Sequence, residues 1–286
     1  MHSYLELLRD VLEHGRPHRN RTGVPTRRVI GRQGRFDLRE RFPLLTTKHV
    51  SFRNVFSELR FFVLGRTDNA WLESRGCRIW APWASAQWCA KQGLEPGDLG
   101  PIYGFQWRHF GATYRGMHAD HTGEGVDQLR LAVETLQRDP DSRRIVVSAW
   151  NPVAQPRMAL PPCHTLFQLS VVEGELYLHL YQRSADLFLG VPYNIASYAC
   201  LTHMLAHVTD LRPGELIISW NDLHLYENHL DQVREQLSRT PRPLPVLRIE
   251  GIERGSGFEG LLAIEYEHLR LEGYKPAGRL RAPVAV

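Results

Sequence analysis

Cysteine is scarce in this 286-residue chain: Cys77, Cys89, Cys163 and Cys200 are the whole set, with no CxxC pair and no Cys/His grouping at metal-ligand spacing. A disulfide scaffold and a zinc module are therefore excluded, and free thiols in a reducing cytoplasm are expected. No stretch approaches the roughly 18 uninterrupted apolar residues that suggest a membrane span. The opening MHSYLELLRDVLEHG has neither the long apolar core nor the small-residue cleavage site of a signal peptide. Excess charge of one sign is small as well, since 35 basic against 31 acidic residues leave +4, which gives no ground for expecting DNA or other bulk nucleic-acid binding. No internal repeat is visible. What is present is 43% hydrophobic content, enough at this length to bury a sizeable core.

Residues 4–14 carry Leu5, Leu8, Val11 and Leu12 at helical spacing, with Gly15-Arg16-Pro17 as the stop. A polar loop is expected over 18–28 and strand-like pieces over 29–45. A helix over 51–64 places Val55, Phe56, Leu59, Phe62 and Val63 on one side and contains Glu58. Residues 84–97 and 112–125 are small, polar and glycine-rich without period, and read as surface insertions. Further on, 126–137 predicts an amphipathic helix, and 145–150, 166–172 and 175–181 predict strands. Residues 195–211 are apolar nearly all round, which describes a helix inside the molecule. The elements do not alternate as regular strand-helix-strand units, so the expected class is α+β.

Cys163 lies in Leu160-Pro161-Pro162-Cys163-His164, between two expected strands. Consecutive prolines fix φ and remove two amide donors, so the loop is stiff and presents the next side chain in a set direction. A lone cysteine is most often a small buried core residue. A nucleophilic one needs a lowered pKa, usually from nearby cations, and the segments around Cys163 are rich in arginine. Pattern alone leaves both readings standing, while Cys77, Cys89 and Cys200 lack such a setting and read as structural. Arg143 and Arg144 follow Asp139-Pro140-Asp141-Ser142; guanidinium forks suit phosphate oxygens, and a surface ion pair is the plainer account. Arg183, closing an apolar strand in Gln182-Arg183-Ser184-Ala185-Asp186, is costly if unpaired, and a bound anion would satisfy it. Asn194 can donate and accept at once, as a uracil edge requires, and equally suits a helix N-cap. Asp222, His224 and Tyr226 alternate with leucines, so on a strand they share a face, ready for a sugar hydroxyl or simply closing a half-buried strand.

Together these segments resemble the thymidylate synthase family, whose scaffold also serves pyrimidine nucleotide hydroxymethylases. The resemblance rests on DSRRIVVSAWNP, MALPPCH, QRSADLFLGVPYNIASY and DLHLY in that order. It extends from Asn20-Arg21-Thr22-Gly23 through DLGPIYGFQWRHFGA at 98–112 to the C-terminal Ala282-Pro283-Val284-Ala285-Val286. Covering nearly the whole chain, it implies a single domain over 1–286 and a large mixed β-sheet covered by helices, forming a homodimer through the sheet face. The implied reaction is methylation of deoxyuridylate (dUMP) at C5 with 5,10-methylenetetrahydrofolate, through a covalent adduct of Cys163 at C6. In this likeness Arg21, Arg183 and Ser184 hold the 5′-phosphate with Arg143 and Arg144 of the other subunit. Gln182 belongs to the substrate site, Asn194 reads the uracil edge, and His224 with Tyr226 meets the 3′-hydroxyl. Glu58 organises water near O4 and assists proton transfers, and Tyr103 and His164 line the same cavity. Trp80, Leu160, Asp186, Ala285 and Val286 contact or cover the folate, Asp186 also touching the substrate. Neither a metal nor a nicotinamide is implied. The chain departs from the family's usual pattern at Trp220-Asn221, Ala81, Tyr193 and Val24-Pro25.

Three readings compete. The first is the synthase. The second is a 5-hydroxymethylase on the same scaffold, in which water replaces hydride in the last step. The third is a non-catalytic nucleotide- or RNA-binding relative, against which Cys163 and Glu58 argue together, because a pure binder has use for neither.

Overall fold

A computed structural model describes residues 1–285; Val286 lies outside the described residues. The stripe of leucines builds α1 (His2–His14), which stops where the Gly15 N–H donates to the Val11 carbonyl at 3.0 Å. Strands β1 (Arg16–His18) and β2 (Thr26–Asp37) follow. Next come the helices α2 (Phe52–Val63), α3 (Asn69–Ser74), α4 (Ala86–Lys91), α5 (Tyr103–His109) and α6 (Gln128–Arg138). The centre is made by β3 (Val146–Ser148), β4 (His164–Val172), β5 (Glu175–Asp186), α7 (Gly190–Val208) and β6 (Arg212–Tyr226). The order closes with α8 (Leu230–Ser238), β7 (Val246–Ile249), α9 (Gly257–Ala263) and β8 (Leu269–Glu272).

Six strands form one sheet in the order β1-β2-β6-β5-β4-β3, with β5 and β6 parallel and the other neighbours antiparallel. This is the mixed sheet and α+β class expected. α7 is buried along nearly its whole length against β5 and β6, with α2 packed on it, and α1 covers β2. Each fully buried Leu, Ile or Val contributes on the order of 1.5–3 kcal/mol, so the helix that carries Asn194 is held firmly. On the opposite face Val146, Leu166 and Tyr181 alternate with core residues and are exposed, as is Ile30 on β2.

Burial reverses phase along a line across this sheet. Pairing skips Gly31 on β2, Asn221 on β6, Arg183 on β5 and Thr165 on β4. Before the line Leu216, Ile218 and Trp220 face the core; after it Leu223 and Leu225 do. On β4 the register shifts at this line, between His164 and Leu166, whereas β2, β6 and β5 each leave one residue unpaired in register; beyond the break Ser184, Asp186, His224 and Tyr226 are turned away from the core. The line also explains two differences from expectation. β2 is one strand rather than separate pieces because Gly31, at φ +68°, takes up the bend. β5 continues past Arg183 to Asp186, so this arginine sits at an unpaired position inside the strand and not at a strand end.

Residues 84–97 and 112–125 hold anchors of their own. Cys89 and Leu94 pack with Tyr114 and Phe105 in a second, small apolar cluster, and the Trp88 indole donates to the Ala159 carbonyl at 2.7 Å. Single anchors separated by glycines leave no period for a pattern to show.

Candidate active site

The two prolines before Cys163 lack N–H groups, but their carbonyls are used. Arg183 donates from Nε to Pro162 O and from Nη2 to Pro161 O, each at 2.8 Å, and its backbone N–H donates to Cys163 O at 2.9 Å. The Cys163 N–H in turn donates to the Tyr103 hydroxyl at 2.7 Å. The loop is thus clamped from α5 on one side and from Arg183 of β5 on the other. The expectation that Arg183 needs an anion is corrected in part: backbone carbonyls already accept two of its donors, and its positive charge has no carboxylate partner among the described residues. Burial pushes the Cys163 thiol above its ordinary pKa, against Arg183, the Tyr103 hydroxyl and Arg21, in that order of pull. The lowered pKa expected from the arginines is therefore not the net result; desolvation of the thiolate outweighs them.

Glu58, in the middle of α2, is buried, and its Oε1 accepts from the Trp80 indole at 2.8 Å. Burial raises its pKa to about 7, with the Trp80 bond opposing, so the carboxyl exchanges its proton near neutrality. His164 is held neutral: burial lowers it to about 4, and its Nδ1 is buried without a hydrogen-bond partner among the described residues. Phe62 stacks on Tyr103 at 4.8 Å, and Trp80 meets Phe62, Trp83 and Tyr103 edge-on, forming an aromatic wall.

Asn194 lies inside α7 rather than at its start, which removes the N-cap reading, and its Oδ1 accepts from Gln182 Nε2 at 3.0 Å. Asp186 uses Oδ1 to cap the turn into α7, accepting from the Phe188 and Leu189 amides. Asp222 joins Arg28 at 2.8 Å to His224 Nδ1 at 3.0 Å, fixing the imidazole beside Tyr226. Arg21 sits in a loop shaped by Asn20, whose Oδ1 accepts from the Thr22 N–H and hydroxyl and whose Nδ2 reaches Val24 O.

All of these open on one cleft of about 870 Å³. Arg21, Glu58, Trp80, Tyr103, Leu160, Cys163, His164, Gln182, Arg183, Ser184, Asp186, Asn194, His224, Tyr226 and Ala285 line it together. Arg143 and Arg144 do not; they are exposed on the connection between α6 and β3, and neither forms an ion pair among the described residues. Beside Ala285, the tail is held by Pro283, whose carbonyl lies 2.8 Å from His229 Nε2; the expected contact of Val286 lies outside the described residues. No group of three His, Cys, Asp or Glu side chains placed to hold a metal occurs among the described residues. No described helix is long and apolar enough to cross a membrane.

Residues 2–286 match the family model described as thymidylate synthase. The chain belongs to the thymidylate synthase family. It is 49% identical over 288 residues to the thymidylate synthase of equine herpesvirus 2, an alignment spanning 100% of this chain and 98% of the relative. Against the Homo sapiens thymidylate synthase it is 47% identical over 287 residues, 99% of this chain and 90% of the relative. The Herpesvirus ateles thymidylate synthase is 48% identical over 288 residues, 100% and 98% respectively. Within this family member's cleft, Asn20, Arg78, Trp83, Trp150 and Gln155 were not singled out from sequence. Trp83 and Trp150 carried a usable signal, since each is a large aromatic in a segment lacking helical period, where a core role is least expected.

Proposed function

We propose that this chain methylates dUMP at C5 to give dTMP, with 5,10-methylenetetrahydrofolate as co-substrate. The observation that carries the reading is Cys163, clamped by Tyr103 and Arg183, sharing one cleft with a Glu58 carboxyl that titrates near neutrality. Cys163 loses its proton and Sγ bonds to C6 of the uracil; the electron pair of the C5–C6 double bond moves toward O4, leaving C5 nucleophilic. Glu58 supplies and removes the proton on the O4 side, the task a carboxyl of pKa about 7 performs best. The folate supplies both the carbon and the hydride. The residues present suit it: the Trp80, Trp83 and Phe62 wall offers aromatic surface, and about 870 Å³ lies near the top of the range for a small-molecule site. Trp80, Leu160, Asp186 and Ala285 would hold it.

Arg21, Arg183 and Ser184 hold the 5′-phosphate in this reading, with Arg143 and Arg144 lent by a second copy docked on the open sheet face. The exposed, unpaired state of those two arginines and the apolar Val146, Leu166 and Tyr181 on that face support the arrangement. Free thiols at all four cysteines fit a reducing cytoplasm. Incubation with dUMP and 5,10-methylenetetrahydrofolate should raise dihydrofolate absorbance and add a methyl group to the nucleotide by mass. A 5-hydroxymethyl product without dihydrofolate overturns the reading.

A further inference from the structure

The amides of the cleft are oriented from behind. Trp220, 1% exposed, is the register partner of Gln182 across the parallel strands β6 and β5. Its indole occupies space that exists because residue 34 of β2 has no side chain: a Cβ on Gly34 would lie 2.9 Å from the indole Cζ3 and 3.0 Å from Cη2. An indole N–H can only donate, and it points at Gln182 Oε1, 3.1 Å away. The Gln182 amide is thereby fixed with its NH2 on the other side, where it donates to Ser184 O at 3.1 Å and Asn194 Oδ1 at 3.0 Å. An NH2 also can only donate, so Asn194 must turn Oδ1 toward it. Asn194 Nδ2 is left on the side of the amide away from Gln182, on a side chain that lines the cleft with His164 beside it.

We propose that Trp220 is a specificity-determining positioning residue: acting through Gln182, it holds Asn194 with an amide donor toward the base. The inference rests on the dUMP reading above. A donor there matches the C4 carbonyl of uracil and opposes the C4 amino group of cytosine. With the indole N–H removed, Gln182 loses one of its two locks and keeps only the Ser184 carbonyl, so the turned-over amide, which offers Oε1 to Asn194, gains population. Asn194 then reverses too, presents Oδ1 to the cleft, and accepts from the cytosine amino group.

The test compares dUMP and dCMP affinities by calorimetry, without folate, in the wild-type protein and in Trp220→Phe, which keeps most of the ring volume and loses the donor. The preference for dUMP should fall about three- to tenfold in the variant, the scale of one buried hydrogen bond. In turnover, KM for dUMP should rise more than kcat falls. Trp220→Phe combined with Gly34→Ala, whose methyl group takes up space the indole vacates, replaces the first variant if thermal unfolding shows that one misfolded. An unchanged dUMP-to-dCMP ratio in a folded variant overturns the relay, including the case where both affinities weaken equally, as a purely structural role would produce. Wild-type protein that binds neither nucleotide, or prefers dCMP, overturns the dUMP reading itself and the relay with it.

Discussion

Cys163 is held by its backbone more than by its side chain. Its N–H and C=O are both committed, to Tyr103 and to Arg183, so the thiol's direction is set before any substrate enters. A hydroxyl in place of the thiol keeps nearly the same shape and every one of those bonds but is a far weaker nucleophile. Cys163→Ser should therefore reduce turnover to background while leaving the dUMP dissociation constant within a few-fold of wild type; turnover near the wild-type level rules out the covalent step. At this scale the sequence was partly legible. The Pro-Pro-Cys run announces a stiff loop, but the residues that stiffen it lie 60 and about 20 positions away, and pairwise contacts at that separation leave no periodic trace. The sign of the thiol shift was not legible for a related reason: arginines can be counted in a sequence, whereas burial cannot.

The elements that matter most for the cleft are those crossed by the line at which burial reverses phase. Gly31 marks its β2 end, at φ +68° with nothing within 4 Å of where a Cβ would stand. The cost of a side chain there is thus backbone conformation alone. Gly31→Ala should lower stability by about 1 kcal/mol, read as a shift of the urea midpoint with unchanged slope. A variant as stable as wild type would mean that β2 bends without needing the left-handed conformation. Most helices and strands were visible in their periods, α2 and α7 especially. The reversals were not, because each costs one residue of phase and mimics the end of a strand, as Arg183 did. In β6 the reversal is written plainly, since alternation built on Leu216, Ile218 and Trp220 meets alternation built on Leu223 and Leu225 with Asn221 between them.

Over the whole molecule, three buried titrating groups set opposing trends of stability with pH. His164 and His203 are lowered by burial from 6.5 to about 4. The unfolded chain binds their protons first, and the stability they support is lost as pH falls from about 6.5 toward 4. Glu58, raised from 4.5 to about 7, acts in the other direction: it stabilises below 4.5 and loses that contribution as pH rises toward 7. Between pH 4.5 and 6.5 two protons oppose one, so these groups leave a net slope of at most about 1.4 kcal/mol per pH unit, stability rising with pH. Glu58→Gln removes the opposing member and should steepen the slope measured by urea unfolding across that range; a shallower slope contradicts the assignment. The shared phosphate clamp is tested at the same scale. Subunits of Cys163→Ser and Arg143→Ala, dissociated and re-associated, should together recover activity that neither has alone, and verified heterodimers without activity would show that each cleft is self-contained. Pattern could not supply the proposed second copy, because alternation on β4 and β5 marks a half-buried sheet without saying whether water or another chain meets its other face.

Gly34 and Trp220 lie far apart along the chain yet occupy a single space, so a change at one constrains the other. With the indole in place, any larger residue at 34 collides with it; with the indole removed first, a void opens beside the glycine, at a cost of several kcal/mol. Descent therefore passes slowly between this pairing and one in which the bulk sits on β2 instead. Among relatives, a bulky residue at the position of Gly34 forecasts that tryptophan is missing opposite it.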